Sequence, residues 1–366
     1  MRSNLSRREL LRLGGLTAAG IGLAACTPAA TAPSAPSAAT PVGTAAIPPS
    51  ATVKPVRTLK VGHLARQLGN LVPQYDDVGP KNGVRFEVSL FPDGAPLLQA
   101  LSTGDILLAG LSKVQLIQSM ARGVDLLMVC GYAGGYVVYL QGKTAARAPG
   151  DWASVKAEAA KRKAAGNPFR IGTPTGSLQH ISLLQQLRAA GIDPDKDVEV
   201  VNVPYPEHAN ALASGQLDMA AQIALFAAQA IVQDKAALFL HATNTPLGAF
   251  EVGFITTRKL ARERPDEMAD IVAAHYQAMK TIIDDPTRGL AREVKYSGLP
   301  EAVVKKSYDF LTFDYRVDLN AIRGTERVMR DLGLHKDDLQ AKIADYVDLS
   351  FLAKASGRTI ADVGTW

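Results

Sequence analysis

The sequence predicts an α/β fold of two like lobes, each a mostly parallel sheet flanked by helices, with the C-terminal helices packed on the first lobe. Three observations predict it. Short apolar strands alternate with helical segments from Thr58 onward, two features recur at nearly one offset, and beyond about Arg262 the pattern turns wholly helical. The chain has 366 residues, 47% hydrophobic and 20% charged, enough for about two domains with a sizeable core. Its net charge of +5 is spread without a long run of one sign, so nucleic acid is not implied. With Cys26 and Cys130 as the two cysteines, a disulfide scaffold and a four-thiolate metal site are both excluded.

The N-terminus reads as an address. Arg2, Arg7, Arg8 and Arg12 precede Leu13 to Ala25, thirteen residues without a charge. That run is too short for a permanent span, which needs about 20 apolar residues, and it matches the apolar region of a signal peptide over 1–25. Leu23-Ala24-Ala25-Cys26 resembles the lipobox of bacterial lipoproteins, which makes Cys26 the acylated anchor point. Ser6 to Arg12 resembles a twin-arginine signal. A general secretory signal with two adjacent arginines is the other reading, and both routes export the chain. Seven prolines fall between Pro28 and Pro55, in a stretch of Ala, Pro, Thr and Ser with no charge from Thr27 to Val53. Such a stretch cannot bury enough apolar surface to offset chain entropy, and it is expected as an extended tether.

The strand Thr58–His63 returns as Pro168–Thr173, 110 positions later. The helix containing Ala100, stopped by Gly104, returns around Ala211, stopped by Gly215, at an offset of 111. In the first lobe Val84–Phe91 alternates as a strand before the turn Pro92–Pro96, Leu107–Gly110 is a buried strand, Ser112 caps a helix over Val114–Ala121, and Leu126–Gly131 is another strand. In the second, Ser177–Ala190 is a helix stopped by Gly191, and Val198–Val203 a strand before Pro204-Tyr205-Pro206. Amphipathic helices follow at Asp266–Asp284, Glu301–Phe310, Leu319–Leu332 and Lys336–Tyr346, read as a jacket on the first lobe. In such sheets a ligand sits outside the carboxyl ends of the strands.

Ile171-Gly172-Thr173-Pro174-Thr175-Gly176-Ser177 with His180, then Ala-Leu-x-x-Gly-x-x-Asp at Ala211–Asp218, resembles the solute-binding proteins of ABC importers in the nitrate, sulfonate, taurine and thiamine-precursor group. The likeness runs from about Leu59 to Leu352 and includes Phe91-Pro92-Asp93-Gly94. It implies the type II periplasmic-binding-protein fold, crossed twice, here near Val137–Gly142 and Gly248–Ile255, and closing on its solute like a jaw. The expected organisation is a signal at 1–25, a lipidated cysteine and tether at 26–57, a first lobe from 58–139 and 250–366, and a second from 140–249. Where many members carry tryptophan and proline, Met219–Phe226 is apolar and proline-free, which weakens the carry-over of a small anion.

Thr175-Gly176-Ser177 opens a helix, whose free N–H groups and positive dipole end suit sulfonate, nitrate or phosphate. A plain N-cap explains the same residues. His180, one turn in, faces solute or packs. Asp93-Gly94 and Ser112 are the corresponding first-lobe loops; Ser112 is a cap or a solute donor, and Lys113 reads as a solvated surface lysine. Arg66 is the cation candidate, since guanidinium binds oxyanions bidentately, against an ordinary surface arginine. Asn70 and Gln222 offer amides. Tyr132, Tyr136, Tyr205 and Phe226 fall at predicted loop edges, where rings would suit a flat heteroaromatic such as a pyrimidine or flavin, or merely pack.

Three functional classes follow. The first is a non-enzymatic, monomeric receptor that delivers an oxyanion, a sulfonate, or a small heteroaromatic vitamin or precursor such as riboflavin to ABC permease subunits, with neither cofactor nor metal. The second is an exported enzyme related to the thiamine-pyrimidine synthase fold; the sequence lacks a cysteine-rich signature, a nucleophile elbow and a phosphate loop. The third, an effector-sensing half of a transcription factor, conflicts with the export signal.

Overall fold

A computed structural model describes residues 56–64, 71–91, 94–143, 147–243 and 245–366. The export signal, Cys26 and all of the tether before Val56 lie outside them, as do Arg66, Asn70 and Asp93.

The chain opens with β1 (Arg57–Leu64), α1 (Val72–Val78), β2 (Val84–Phe91), α2 (Gly94–Thr103), β3 (Leu108–Ser112), α3 (Lys113–Ala121) and β4 (Leu126–Gly134). β3 and β4 are buried along their whole lengths, so they read as continuous apolar runs. After residues 135–137 come β5 (Val138–Gln141), α4 (Trp152–Ala164), β6 (Arg170–Thr173), α5 (Leu178–Ala189), β7 (Glu199–Asn202), α6 (His208–Ala213), β8 (Met219–Gln222), α7 (Ala224–Val232) and β9 (Ala237–His241). After residues 242–249 follow β10 (Phe250–Thr257), α8 (Arg258–Glu263), α9 (Pro265–Asp284), α10 (Pro286–Ser297), α11 (Glu301–Tyr308), β11 (Thr312–Phe313), α12 (Leu319–Asp331), α13 (Ser350–Ser356) and α14 (Ile360–Val363).

Two sheets result, ordered β11-β4-β10-β3-β1-β2 and β7-β6-β8-β5-β9. β11 aside, they are built alike, with β6, β7, β8 and β9 standing where β1, β2, β3 and β4 stand. In each, the strand before the last comes from the other sheet: β5 directly follows β4, and β10 directly follows β9. These incoming strands run against the others. β1–β2, β1–β3, β6–β7 and β6–β8 are parallel, but β10 runs antiparallel to β3 and β4, and β5 to β8 and β9. Four strands of each sheet thus share one direction, so each is mostly parallel as expected, with the incoming strand and the short edge strand β11 running against them. A strand entering where its predecessors end must run back against them, because no crossover helix intervenes to turn it round. The passages are correspondingly shorter than the spacing suggests, since Val138–Gln141 and Phe250–Ile255 already pair within sheets.

The repeat has a packing cause. A Cβ on Gly62 of β1 would lie 2.7 Å from Ile106 Cδ1, and one on Gly172 of β6 would run into Leu217 Cδ1. In both halves the apolar residue that leads into the third strand lies on the bare backbone of the first. Around this frame Tyr75 stacks on Phe86 with centroids 3.9 Å apart, and Trp152 meets Phe239 edge to face at 5.0 Å.

The C-terminal helices are not all a jacket on the first half. α9 and α13 pack on β4 and on one another, as expected, but α11 lies against α7. Val303 and Phe310 join Val138, Leu140, Leu225 and Ala228 in the second half's core. The alanines of α7 leave a low surface that larger side chains from α11 cover. The segment expected as a helix up to Tyr346 is instead a 3₁₀ run over Gln340–Tyr346.

Candidate functional site

The parallel strands β3 and β6 lead into α3 and α5, and these two helices meet. Gln118 of α3 donates from Nε2 to Gly176 O at 3.0 Å, joining the helix after β3 to the turn after β6. α5 also meets α12, where Arg188 Nη1 donates to Asp331 O at 3.0 Å. On the first-half side, a Cβ on Gly94 would lie 3.3 Å from Gln115 Nε2, and Gln115 Oε1 accepts from Ser112 N at 2.9 Å and from Ser112 Oγ. The structure thus gathers Gly94, Ser112, Gly176, Ser177 and His180 around α3 and α5.

The amide inventory of the second-half turn is tighter than the sequence suggests. Thr175 N donates to Asn202 Oδ1 at 2.9 Å, Gly176 N to His180 Nδ1 at 3.1 Å, and Ser177 N to Pro174 O at 3.2 Å. Ser177 Oγ accepts from His180 N at 3.1 Å as the N-cap of α5. The N–H groups of Leu178 and Gln179 are left, with no partner among the described residues. Gly176 has φ +78°, the left-handed region, which the turn needs to bring its N–H round to the imidazole. His180 is half-buried, and burial holds its pKa below the usual imidazole value; as acceptor at Nδ1 it is neutral.

Lys113 departs most from its sequence reading. It is fully buried, not solvated. Its Nζ donates to Leu247 O and, at 3.4 Å, to Gly248 O, both in the second passage. Glu251, at the start of β10, is also buried and accepts the N–H of Tyr136 in the first passage. Burial pushes the lysine's pKa down and the carboxyl's up, and each charge restrains the shift of the other. A single ion couple thus touches both passages.

The aromatic candidates sit deeper than loop edges. Tyr132 lies within β4 among Phe254 and Phe313, 1% exposed, and Tyr136 is 4% exposed in the first passage, its ring centroid 6.4 Å from that of Tyr132. Glu293 of α10 is buried beside Tyr308 with its pKa pushed up to about 7 by desolvation. Tyr205 and Phe226 are half-buried. Tyr205 donates from its hydroxyl to Gln179 Oε1 at 2.5 Å, and Gln179 Nε2 donates to Tyr136 O at 3.3 Å. Gln222 is turned inward: Nε2 reaches Tyr205 O at 2.8 Å and His208 Nδ1 at 3.1 Å, while Oε1 accepts from Ile223 N. His208 in turn donates from Nε2 to Val203 O at 2.9 Å, and burial lowers its pKa to about 4. Gln222 therefore braces the turn that carries Tyr205.

Gln118, Gln179, His208, Glu251 and Glu293 escaped the sequence reading. Gln and Glu read as solvated positions unless tertiary packing is known. Elsewhere, a hollow of about 410 Å³ lined by Leu127, Arg258, Asp345 and Phe351 lies at the amino end of β4, remote from the passages.

Against known proteins, a protein of Brachyspira hyodysenteriae whose name reads ABC transporter periplasmic binding protein is 27% identical over 146 residues, 38% of this chain and 41% of that one. The chain thus matches less than half of that relative's length. The periplasmic aliphatic sulphonate binding protein of Escherichia coli is 19% identical with a TM-score of 0.63, over 78% of this chain and 91% of that one. The periplasmic nitrate-binding protein of Synechocystis PCC 6803 is 15% identical with a TM-score of 0.69, over 82% and 89%. These likenesses show a shared fold. The model of the NMT1-like family matches residues 54–294, most of the folded chain, and the protein belongs to that family.

Proposed function

We propose that this protein is the extracytoplasmic solute receptor of an ABC importer, a monomer that captures one small molecule between its two halves and presents the closed form to the permease. One observation supports the reading: two sheets of the same order, β11 aside, exchange one strand each, and Gln118 of the helix that Ser112 opens reaches Gly176 in the turn before the helix that Ser177 caps. Two passages between like halves form a hinge, and occupancy shifts the population toward closure. Similarity to sulfonate- and nitrate-binding proteins and the name of the Brachyspira relative support the class. In this reading the lobes follow the boundaries expected from the sequence, export follows the N-terminal signal, and lipid on Cys26 holds the receptor beside its permease.

The solute contacts proposed are Thr175, Gly176, Ser177, His180, Tyr205, Gln222 and Phe226 in the second half and Asp93, Gly94, Ser112, Arg66, Asn70, Tyr132 and Tyr136 in the first. The solute is an oxyanion or sulfonate, or a small heteroaromatic. Calorimetry against oxyanions, sulfonates, pyrimidines and flavins tests it, with saturable micromolar binding and no consumption of the hit expected. Silence across the library, or turnover, refutes it. Loss of the protein from the membrane fraction in Cys26→Ser tests the anchor.

A further inference from the structure

We propose that His63 and Thr173 are a matched pair of solute contacts, and that the solute presents an N–H or O–H group to His63 Nε2. The assignment rests on the receptor reading above and extends it to the chemistry of the solute.

The two residues are 110 positions apart, the same offset as Gly62 and Gly172. They therefore occupy one place in the repeat, the carboxyl end of the first strand in each sheet. His63 lies beside Gly110, two residues before the Ser112 cap, and Thr173 lies beside Asn202, whose side chain holds the Thr175 N–H. Thr173 precedes Thr175 to Ser177, which carry candidate contacts. Both side chains are withdrawn from solvent, His63 at 2% and Thr173 at 0% exposure. Each nonetheless holds one polar atom, Nε2 and Oγ1, with no hydrogen-bond partner among the described residues. Native proteins leave few buried polar atoms unpaired, so two at equivalent positions of a duplicated frame call for a shared cause. A solute seated across the strand ends supplies one.

The imidazole also states what the solute must offer. His63 Nδ1 lies 2.9 Å from Leu64 O, and a carbonyl only accepts, so Nδ1 carries the proton. Burial holds the ring neutral. Nε2 is then a lone pair, which nitrate, sulfate or a simple alkanesulfonate would meet with another lone pair. An amine, amide or hydroxyl satisfies it. Thr173 Oγ1 can donate or accept, and the unfilled N–H groups of Leu178 and Gln179 on the same half favour an acceptor there. The solute thus carries a donor toward the first half and an acceptor toward the second.

The test uses the full chain and two probe pairs that differ in a donor, taurine against ethanesulfonate and aminopyrimidine against pyrimidine, with nitrate alongside. His63→Asn retains a donor for Leu64 O and lacks the Nε2 lone pair; His63→Gln restores an acceptor farther out. Calorimetry is expected to show the donor-bearing member of at least one pair binding tenfold or more tighter, the preference vanishing in His63→Asn and partly returning in His63→Gln. Thr173→Val should weaken the same probe. Without solute, Thr173→Val and His63→Asn should unfold no lower than the unaltered protein; a drop of several degrees means the atoms have partners in the fold, and overturns the proposal. Equal binding within both pairs, or tight nitrate binding, overturns the donor assignment and leaves the receptor standing. Silence from every probe and from the wider library overturns the receptor reading and this assignment with it.

Discussion

Replacing Glu293 by glutamine should change how stability depends on pH, and the size of the change follows from where the carboxyl sits. Glu293 is 4% exposed on the inner face of α10, one of its oxygens has no partner among the described residues, and Tyr308 lies beside it. Desolvation lifts its pKa to about 7, a hydrogen bond from Tyr308 opposing the rise, whereas the unfolded chain titrates near 4.5. Between those values the folded protein binds the extra proton, so unfolding becomes easier as pH rises. At about 1.4 kcal/mol per pH unit, the full penalty approaches roughly 3 kcal/mol, nearly all of it present by pH 8 and little of it at pH 5. Glutamine resembles the protonated acid and does not titrate. Urea unfolding of both proteins from pH 5 to pH 8 should therefore show the variant gaining about 2 to 3 kcal/mol on the parent across that range. A difference that stays constant, or shrinks toward pH 8, refutes the idea that the carboxyl is held protonated by burial.

Other outcomes follow from the same structure. Lys113→Met should lose about 3 kcal/mol in urea unfolding, because Glu251 is left buried without its cation and the Leu247 and Gly248 carbonyls lose their donor; a loss under about 1 kcal/mol means that the lysine does not bind the passages together. Gly176→Ala should cost about 1 to 2 kcal/mol through its φ of +78° and release the Gly176 N–H from His180, read as a lower melting temperature by circular dichroism; an unchanged melt would show that the turn relaxes freely. Cys130, fully buried with its thiol pKa pushed up, should resist a thiol reagent until the protein unfolds; rapid modification of native protein would contradict its burial.

Much of this architecture is written locally. The alternation of strand and helix, the 110-residue echo of Gly62 in Gly172 and the Ser112 and Ser177 helix starts all rest on near-neighbour chemistry, namely periodicity, capping and glycine at close approaches, whereas the two passages came from the family resemblance alone. The site was legible as a place more than as a set of contacts. Ser177 and Ser112 show in sequence as helix starts, but nothing local reveals that His180 takes the Gly176 N–H, or that Gln222 is spent on Tyr205 and His208.

What only the tertiary structure decided are the pairings that join distant segments. Lys113 reads as a surface lysine because its neighbours in sequence are unremarkable; residues 134 and 135 positions away make it a buried donor. α11 reads as part of a first-half jacket, yet it covers the alanine face of α7, a surface that exists only once both are placed. The direction of β5 and β10 is likewise a matter of where the chain stands on entering each sheet. Periodicity and capping act over a turn or two of chain, whereas burial, pKa and the satisfaction of a buried polar atom depend on which remote surface arrives to exclude water.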